Sequence, residues 1–91
     1  IALNARCQLL PARSDARRGR VAFLGPVPAL PGPAGPWVGV ELDEPTGKND
    51  GAVAGERYFQ CGKNCGVFVR PERVEVGEFP PLEVGEDMEE L

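Results

Sequence analysis

Proline and glycine interrupt this chain too often for a long helix to survive: 12 glycines and 10 prolines stand among 91 residues. Each proline removes a backbone donor and each glycine loosens the chain around it. Between the breakers lie short runs rich in Val, Phe, Leu and Trp, which read as strands separated by turns. The length suits one small domain. The expectation is an all-β fold, a small antiparallel domain over residues 1–76, with no helix longer than a turn or two. Residues 77–91 read as an acidic flexible tail, with Pro80 and Pro81 near its start. The chain opens on Ile1 and reads as a segment of a longer protein.

The predicted strands cover residues 6–10, 18–24, 37–42, 57–60, 67–70 and 73–76. Residues 26–36 hold five prolines and two glycines and must form a loop, partly extended in polyproline fashion. Residues 43–55 are rich in turn formers.

Charge is unevenly spread. The net charge of −4 combines a basic first third, where five arginines meet one aspartate before residue 36, with an acidic end, where eight acids meet Arg73 after residue 70. A general nucleic-acid binder would carry a dominant basic excess, so that class is set aside. A local basic groove receiving an acidic partner remains open. No apolar run is long enough for a membrane helix, and no membrane partner is expected. Three cysteines make a poor disulfide framework and point to a reducing, cytoplasmic compartment.

Alternation locates candidate site residues. In Trp37-Val-Gly-Val-Glu-Leu42, Val38, Val40 and Leu42 share one face, while Trp37, Gly39 and Glu41 share the other. In residues 67–70, Val67 and Val69 face one way and Phe68 and Arg70 the other. Two aromatics thus stand off the core face beside charged groups, which suits a binding groove. The same pattern also suits a barrel whose end is capped by the aromatics. The segment Gly47-Lys-Asn-Asp-Gly51 has a glycine at each end, which allows a tight turn presenting Lys48 and Asn49. Such a loop can receive a carboxylate, or it can be an ordinary solvated turn.

Catalysis is not expected. There is no histidine, and Gly47-Lys48 lacks the upstream glycine and the following Ser or Thr of a phosphate loop. The carboxylates Glu41 and Asp43 read as solvent-facing. Cys61 and Cys65, with Cys7 remote in sequence, make a poor zinc set, so no metal or other cofactor is expected. Cys61 reads as a small buried residue beside the Tyr58-Phe59 strand. Cys65 reads as exposed in a glycine-rich turn. The proline loop is a minor candidate ligand for a proline-reading domain.

Four segments in order, Trp37-Val-Gly-Val-Glu-Leu-Asp-Glu-Pro45, Gly47-Lys-Asn-Asp-Gly51, Arg57-Tyr-Phe59 and Gly66-Val-Phe-Val-Arg-Pro71, resemble the successive signatures of the CAP-Gly family. The resemblance covers about residues 3–76. It implies a small, strongly bent antiparallel sheet or barrel of Src-homology-3-like type. It implies a non-catalytic module for acidic tails ending in Glu-Glu-Tyr or Glu-Glu-Phe with a free carboxylate, the α-tubulin tail foremost. By the same resemblance Trp37 and Phe68 line the groove, and Lys48 and Asn49 meet the acidic groups and terminal carboxylate. Gly47 and Gly51 shape the loop, and Arg70 adds charge at the rim. The family usually carries an aromatic about five residues before the Trp, where this chain has Gly32 in a longer loop. Leu30 is the expected replacement wall, with Val27 second.

Within that family, residues 43–51, the exit 74–80 and the ending Met88-Glu-Glu-Leu91 resemble the tubulin-folding cofactors. That implies an upstream ubiquitin-like domain and tubulin-folding cofactor E as a partner. The alternative is an adaptor of the microtubule plus end. Both place the protein in the cytoplasm with the cytoskeleton. Glu89, Glu90 and Leu91 copy the acid-acid-apolar-carboxylate order such grooves read, and are expected to serve as a tail ligand. The fifteen residues from Val76 to Leu91 reach about 50 Å when extended. The tail could therefore meet its own groove or a neighbour's.

Overall fold

Short runs with one apolar face can be stable only where several of them share a core, and here they do so in a single bent sheet. The computed structural model describes residues 1–12 and 16–80. Its strands are β1 (Arg6–Leu9), β2 (Arg18–Gly25), β3 (Trp37–Leu42), β4 (Ala52–Val53), β5 (Glu56–Arg57), β6 (Gly66–Val69) and β7 (Val74–Val76). Five of them form one antiparallel sheet in the order β6-β3-β2-β1-β7, and β4 and β5 form a separate small hairpin. The only helical turn among the described residues is a 3₁₀ turn over Pro71–Arg73, opened by its proline. The all-β expectation therefore holds.

The core is the inward face of this sheet. Val38, Val40 and Leu42 of β3 pack with Cys7 and Leu9 of β1, Val21 of β2, Val67 of β6 and Val74 of β7. Val21, Val38, Val40 and Cys7 are the largest side chains wholly removed from water. Each valine so buried contributes about 1.5–3 kcal/mol. The buried cysteine is Cys7 and not Cys61, which is half-exposed. The reason is placement: Cys7 holds an inward position in the middle of the sheet, whereas Cys61 follows the end of the small hairpin. Burial raises the Cys7 thiol above its ordinary pKa, and its Sγ donates weakly to the Gly19 carbonyl at 3.6 Å.

Two departures from simple alternation shape the outer face. Val21 of β2 pairs with Val40, but Phe23 pairs with Gly39, so the register shifts between them. A bulge of this kind moves the following side chain to the opposite face. Phe23 consequently joins the outer face, where plain alternation would have put it in the core with Val21. The strand expected over residues 57–60 ends at Arg57. Tyr58 and Phe59 leave the ladder because their N–H groups both turn to the Gly51 carbonyl, at 2.8 and 3.2 Å.

Past β7 the chain stays on the sheet for a few residues. Gly77 N–H donates to the Arg6 carbonyl, Arg6 Nε to Phe79 O, and Arg18 Nη1 to Pro80 O. The Arg18 guanidinium also lies over the Phe79 ring, 5.4 Å from its centroid. The expected tail ligand, Glu89, Glu90 and Leu91, lies outside the described residues.

Candidate functional site

Strand β6 organises the outer face. Gly66 and Phe68 of β6, and Arg70 in extended conformation just past its end, stand two apart on one side, opposite to the core residue Val67. Three features attach to these three stations.

At the Gly66 station sits the glycine-rich loop. Lys48 and Asn49 N–H groups donate to the Gly66 carbonyl at 2.8 and 3.1 Å, and Gly66 N–H returns a bond to Asn49 O at 2.7 Å. Gly47 N–H donates to Asn64 O at 2.7 Å. A Cβ on Gly66 would meet Asn49 Oδ1, so the Asn49 amide lies on the outer face. Its Oδ1 already accepts from Gly51 N–H at 2.9 Å, which leaves its amino group as the donor to offer a ligand. The end glycines are required by space. A Cβ on Gly47 would strike the Gly66 carbonyl, and one on Gly51, at φ +100°, would overlap the Phe59 carbonyl. Lys48 is exposed and makes no ion pair among the described residues. Next to the loop, Arg57 bonds Asp50 and holds its carboxyl below the usual carboxylate range.

At the middle station, Phe68 is the hub of an aromatic cluster. Phe23, Tyr58 and Phe59 surround it, with ring centroids at 6.1, 5.6 and 5.5 Å. Phe23 and Tyr58 also meet edge to face at 5.1 Å. Gly39 opens the room for this: a Cβ there would meet Phe59 Cε1 and Phe23 Cβ. Phe23, Tyr58 and Phe59 were not among the residues singled out as groove-forming. The Gly39 gap between two valines was the sequence signal that a ring is seated above the sheet there.

At the third station, Arg70 lies flat against Trp37, with its guanidinium carbon 3.9 Å from the ring centroid. It donates to Pro33 O at 2.5 Å and to Pro36 O at 3.2 Å, tying down the proline loop. Leu30 is half-buried, in a turn closed by its N–H on Val27 O, and Val27 is buried. It is Arg70 that covers Trp37.

The loop of Lys48 and Asn49, the ring of Phe68, and Arg70 on Trp37 therefore attach in turn to three stations of the segment 66–70. Four residues of strand separate the first station from the last, about 13 Å, the length of roughly four extended peptide residues. The other carboxylates nearby are occupied: Glu41 pairs with Arg20 and Asp43 with Arg6, each at 2.6 Å. No group of three or more metal-binding side chains occurs among the described residues. A concavity of about 370 Å³ adjoins the aromatic cluster through Tyr58 and is otherwise lined by Pro26, Pro28, Ala29 and residues of the β4–β5 hairpin.

Comparison with known proteins decides the family. The family model described as CAP-Gly domain matches residues 3–74. The chain belongs to the CAP-Gly family. Among solved structures, the CAP-Gly domain of human Kinesin-like protein KIF13B superposes with a TM-score of 0.72 at 35% identity, over 91% of this chain and 76% of that one. Curated CAP-Gly relatives agree over nearly the whole chain. "Tubulin-specific chaperone B" of Caenorhabditis elegans is 50% identical over 94% of this chain, and "Tubulin-folding cofactor B" of Mus musculus is 45% identical over 96%. The chain spans about a third of the length of these relatives, 36% and 34%. "Dynactin subunit 1" of Drosophila melanogaster is 49% identical over 69% of this chain and 5% of its own length.

Proposed function

We propose that this CAP-Gly domain is a non-catalytic module that binds acidic C-terminal tails of the Glu-Glu-Tyr or Glu-Glu-Phe type. The α-tubulin tail is its first candidate ligand, and a cytoplasmic tubulin-folding chaperone is its setting. The observation that carries this reading is the line of stations on residues 66–70, β6 and the residue that follows it. An exposed lysine and an asparagine amide stand at one end, an aromatic cluster in the middle, and an arginine on a tryptophan at the other. Such a line offers charge, apolar area and charge again over the length of a short extended peptide. The similarity to tubulin-folding cofactor B over nearly the whole chain supports the chaperone setting. Tubulin-folding cofactor E belongs to that setting as a second partner. The similarity to dynactin over a shorter span favours a second reading, an adaptor on assembled microtubules.

The test is a calorimetric titration of the domain with an acidic peptide ending in Glu-Glu-Tyr, against the same peptide amidated at its C-terminus. The free carboxylate is expected to bind more tightly by about 1.5–3 kcal/mol, the worth of a hydrogen bond to a charged group. Equal binding of the two peptides would rule the reading out. Pull-down of tubulin against assembled microtubules separates the two settings.

A further inference from the structure

The best ring for a ligand to stack on is already covered. Trp37 is the single tryptophan of the chain, and the Arg70 guanidinium lies on it at 3.9 Å. Two loop carbonyls, of Pro33 and Pro36, hold the guanidinium there. The loop is shaped to allow it. Gly32 and Gly35 both have positive φ, +109° and +147°, and Cβ atoms on them would stand 3.4 and 3.3 Å from Arg70 Nη2 and Nη1. Glycine at these two positions lets the loop backbone border the guanidinium closely. The second aromatic, Phe68, has three of its neighbours' rings around it. A ligand ring that stacks on Trp37 where Arg70 now lies must therefore take the guanidinium's place. The Arg70 charge, by contrast, is unspent. Its partners are neutral carbonyls, and it forms no ion pair among the described residues.

We infer that Arg70 and the proline loop form a clasp over Trp37 that sets the ligand's terminal residue: the clasped groove accepts acidic tails with an aliphatic end as readily as those with an aromatic end. This deepens the proposed function and rests on it. A ligand carboxylate reaches Arg70 where it lies. A ligand ring must first displace the guanidinium from Trp37 and from two carbonyls, so the stacking it gains is offset by the contacts it breaks. An aliphatic end needs no stacking partner and leaves the clasp shut. Arginine suits the clasp because its planar fork can stack and donate to two acceptors at once, while lysine keeps the charge and donors but lacks the planar stack and the fixed fork.

The experiment compares acidic peptides that differ only at the last residue, Glu-Glu-Leu and Glu-Glu-Phe, on the wild-type domain and on Arg70→Lys. Wild type is expected to bind the two within about two-fold. Arg70→Lys is expected to raise the Phe-over-Leu ratio about five-fold, the worth of one recovered aromatic contact. Acrylamide quenching of Trp37 supplies a readout that does not depend on the variant. In wild type, saturating Glu-Glu-Phe peptide, which exchanges the guanidinium on Trp37 for a ring, should change the quenching, and Glu-Glu-Leu peptide should leave it unchanged. A wild-type preference for Phe above ten-fold, an unchanged ratio in Arg70→Lys, or identical quenching with both peptides would overturn the clasp while leaving acidic-tail binding intact. Failure of both peptides to bind wild type would remove the proposed function and the clasp together.

Discussion

Two loops flank the site, and they are held in opposite ways. The glycine loop, residues 47–51, is fixed by backbone bonds: Gly47 to Asn64, Lys48 and Asn49 to Gly66, and Gly66 back to Asn49. Its side-chain bonds are local as well: Asn49 Oδ1 accepts from Gly51 N–H, and Arg57, seven residues on, donates to the Asp50 carbonyl and carboxylate. The proline loop, residues 26–36, can make few such bonds because five of its residues lack an N–H. Its tie to the sheet at Pro33 and Pro36 comes from one distant side chain, Arg70. The first loop is a rigid part of the sheet's edge. The second is anchored at its start by the buried Val27, and its far half, Pro33–Pro36, is positioned by a single guanidinium.

The contrast is sharpest at glycines. Gly51→Ala would place a Cβ on the Phe59 backbone at a φ of +100°. Neither can yield, and the expected loss of stability is about 3 kcal/mol or more, read by denaturant unfolding. A loss below about 1 kcal/mol would show that the glycine loop is not rigid. Next in size, Lys48→Ala should leave the fold intact and weaken an acidic peptide by about 1–3 kcal/mol, measured by calorimetry. Added salt should weaken the wild-type complex and have less effect on the variant. Gly35→Ala should cost less, about 1–2 kcal/mol, from its φ of +147° alone, because its Cβ would meet only the far end of Arg70 and no backbone. Its clearer signature should be greater acrylamide access to Trp37. If Gly35→Ala matched Gly51→Ala in stability, the two loops would not differ as described.

The smallest effect is a pH dependence confined to the glycine-loop side. The Arg57 bond lowers the Asp50 pKa in the folded protein. The stabilisation is therefore fully present above the ordinary aspartate pKa, about 3.9, and disappears as pH falls through the lower folded value. Asp50→Asn should abolish that part of the acid dependence in unfolding curves. It should leave the proline loop unchanged, as judged by Trp37 quenching.

The same contrast explains what could be read from the sequence. β3 was legible residue for residue because its valines alternate without interruption, and β2 and β6 were placed to within a residue. The glycine loop was legible as a tight turn because its requirements are local. The β4–β5 hairpin was missed because two-residue strands carry no period. Phe23 was hidden by the bulge after Val21, which no alternation rule anticipates. The seat of Arg70 on Trp37 joins residues 33 positions apart through a loop with no periodic signal, and nothing local announces it. The resemblance to CAP-Gly domains brought Trp37, Lys48, Asn49, Phe68 and Arg70 together as a set. The structure adds the order in which they attach to residues 66–70.

That order is the central claim, and amide chemical-shift mapping tests it most directly. An acidic peptide with a free carboxylate should be titrated into ¹⁵N-labelled domain. Signals of Lys48, Asn49, Phe68 and Arg70 and the Trp37 indole should move together, with one common concentration dependence. Ala29, Val53 and Ala54, which line the concavity away from Tyr58, should stay still. Movement confined to that concavity, or to one end of β6 alone, would contradict a single binding track along the strand.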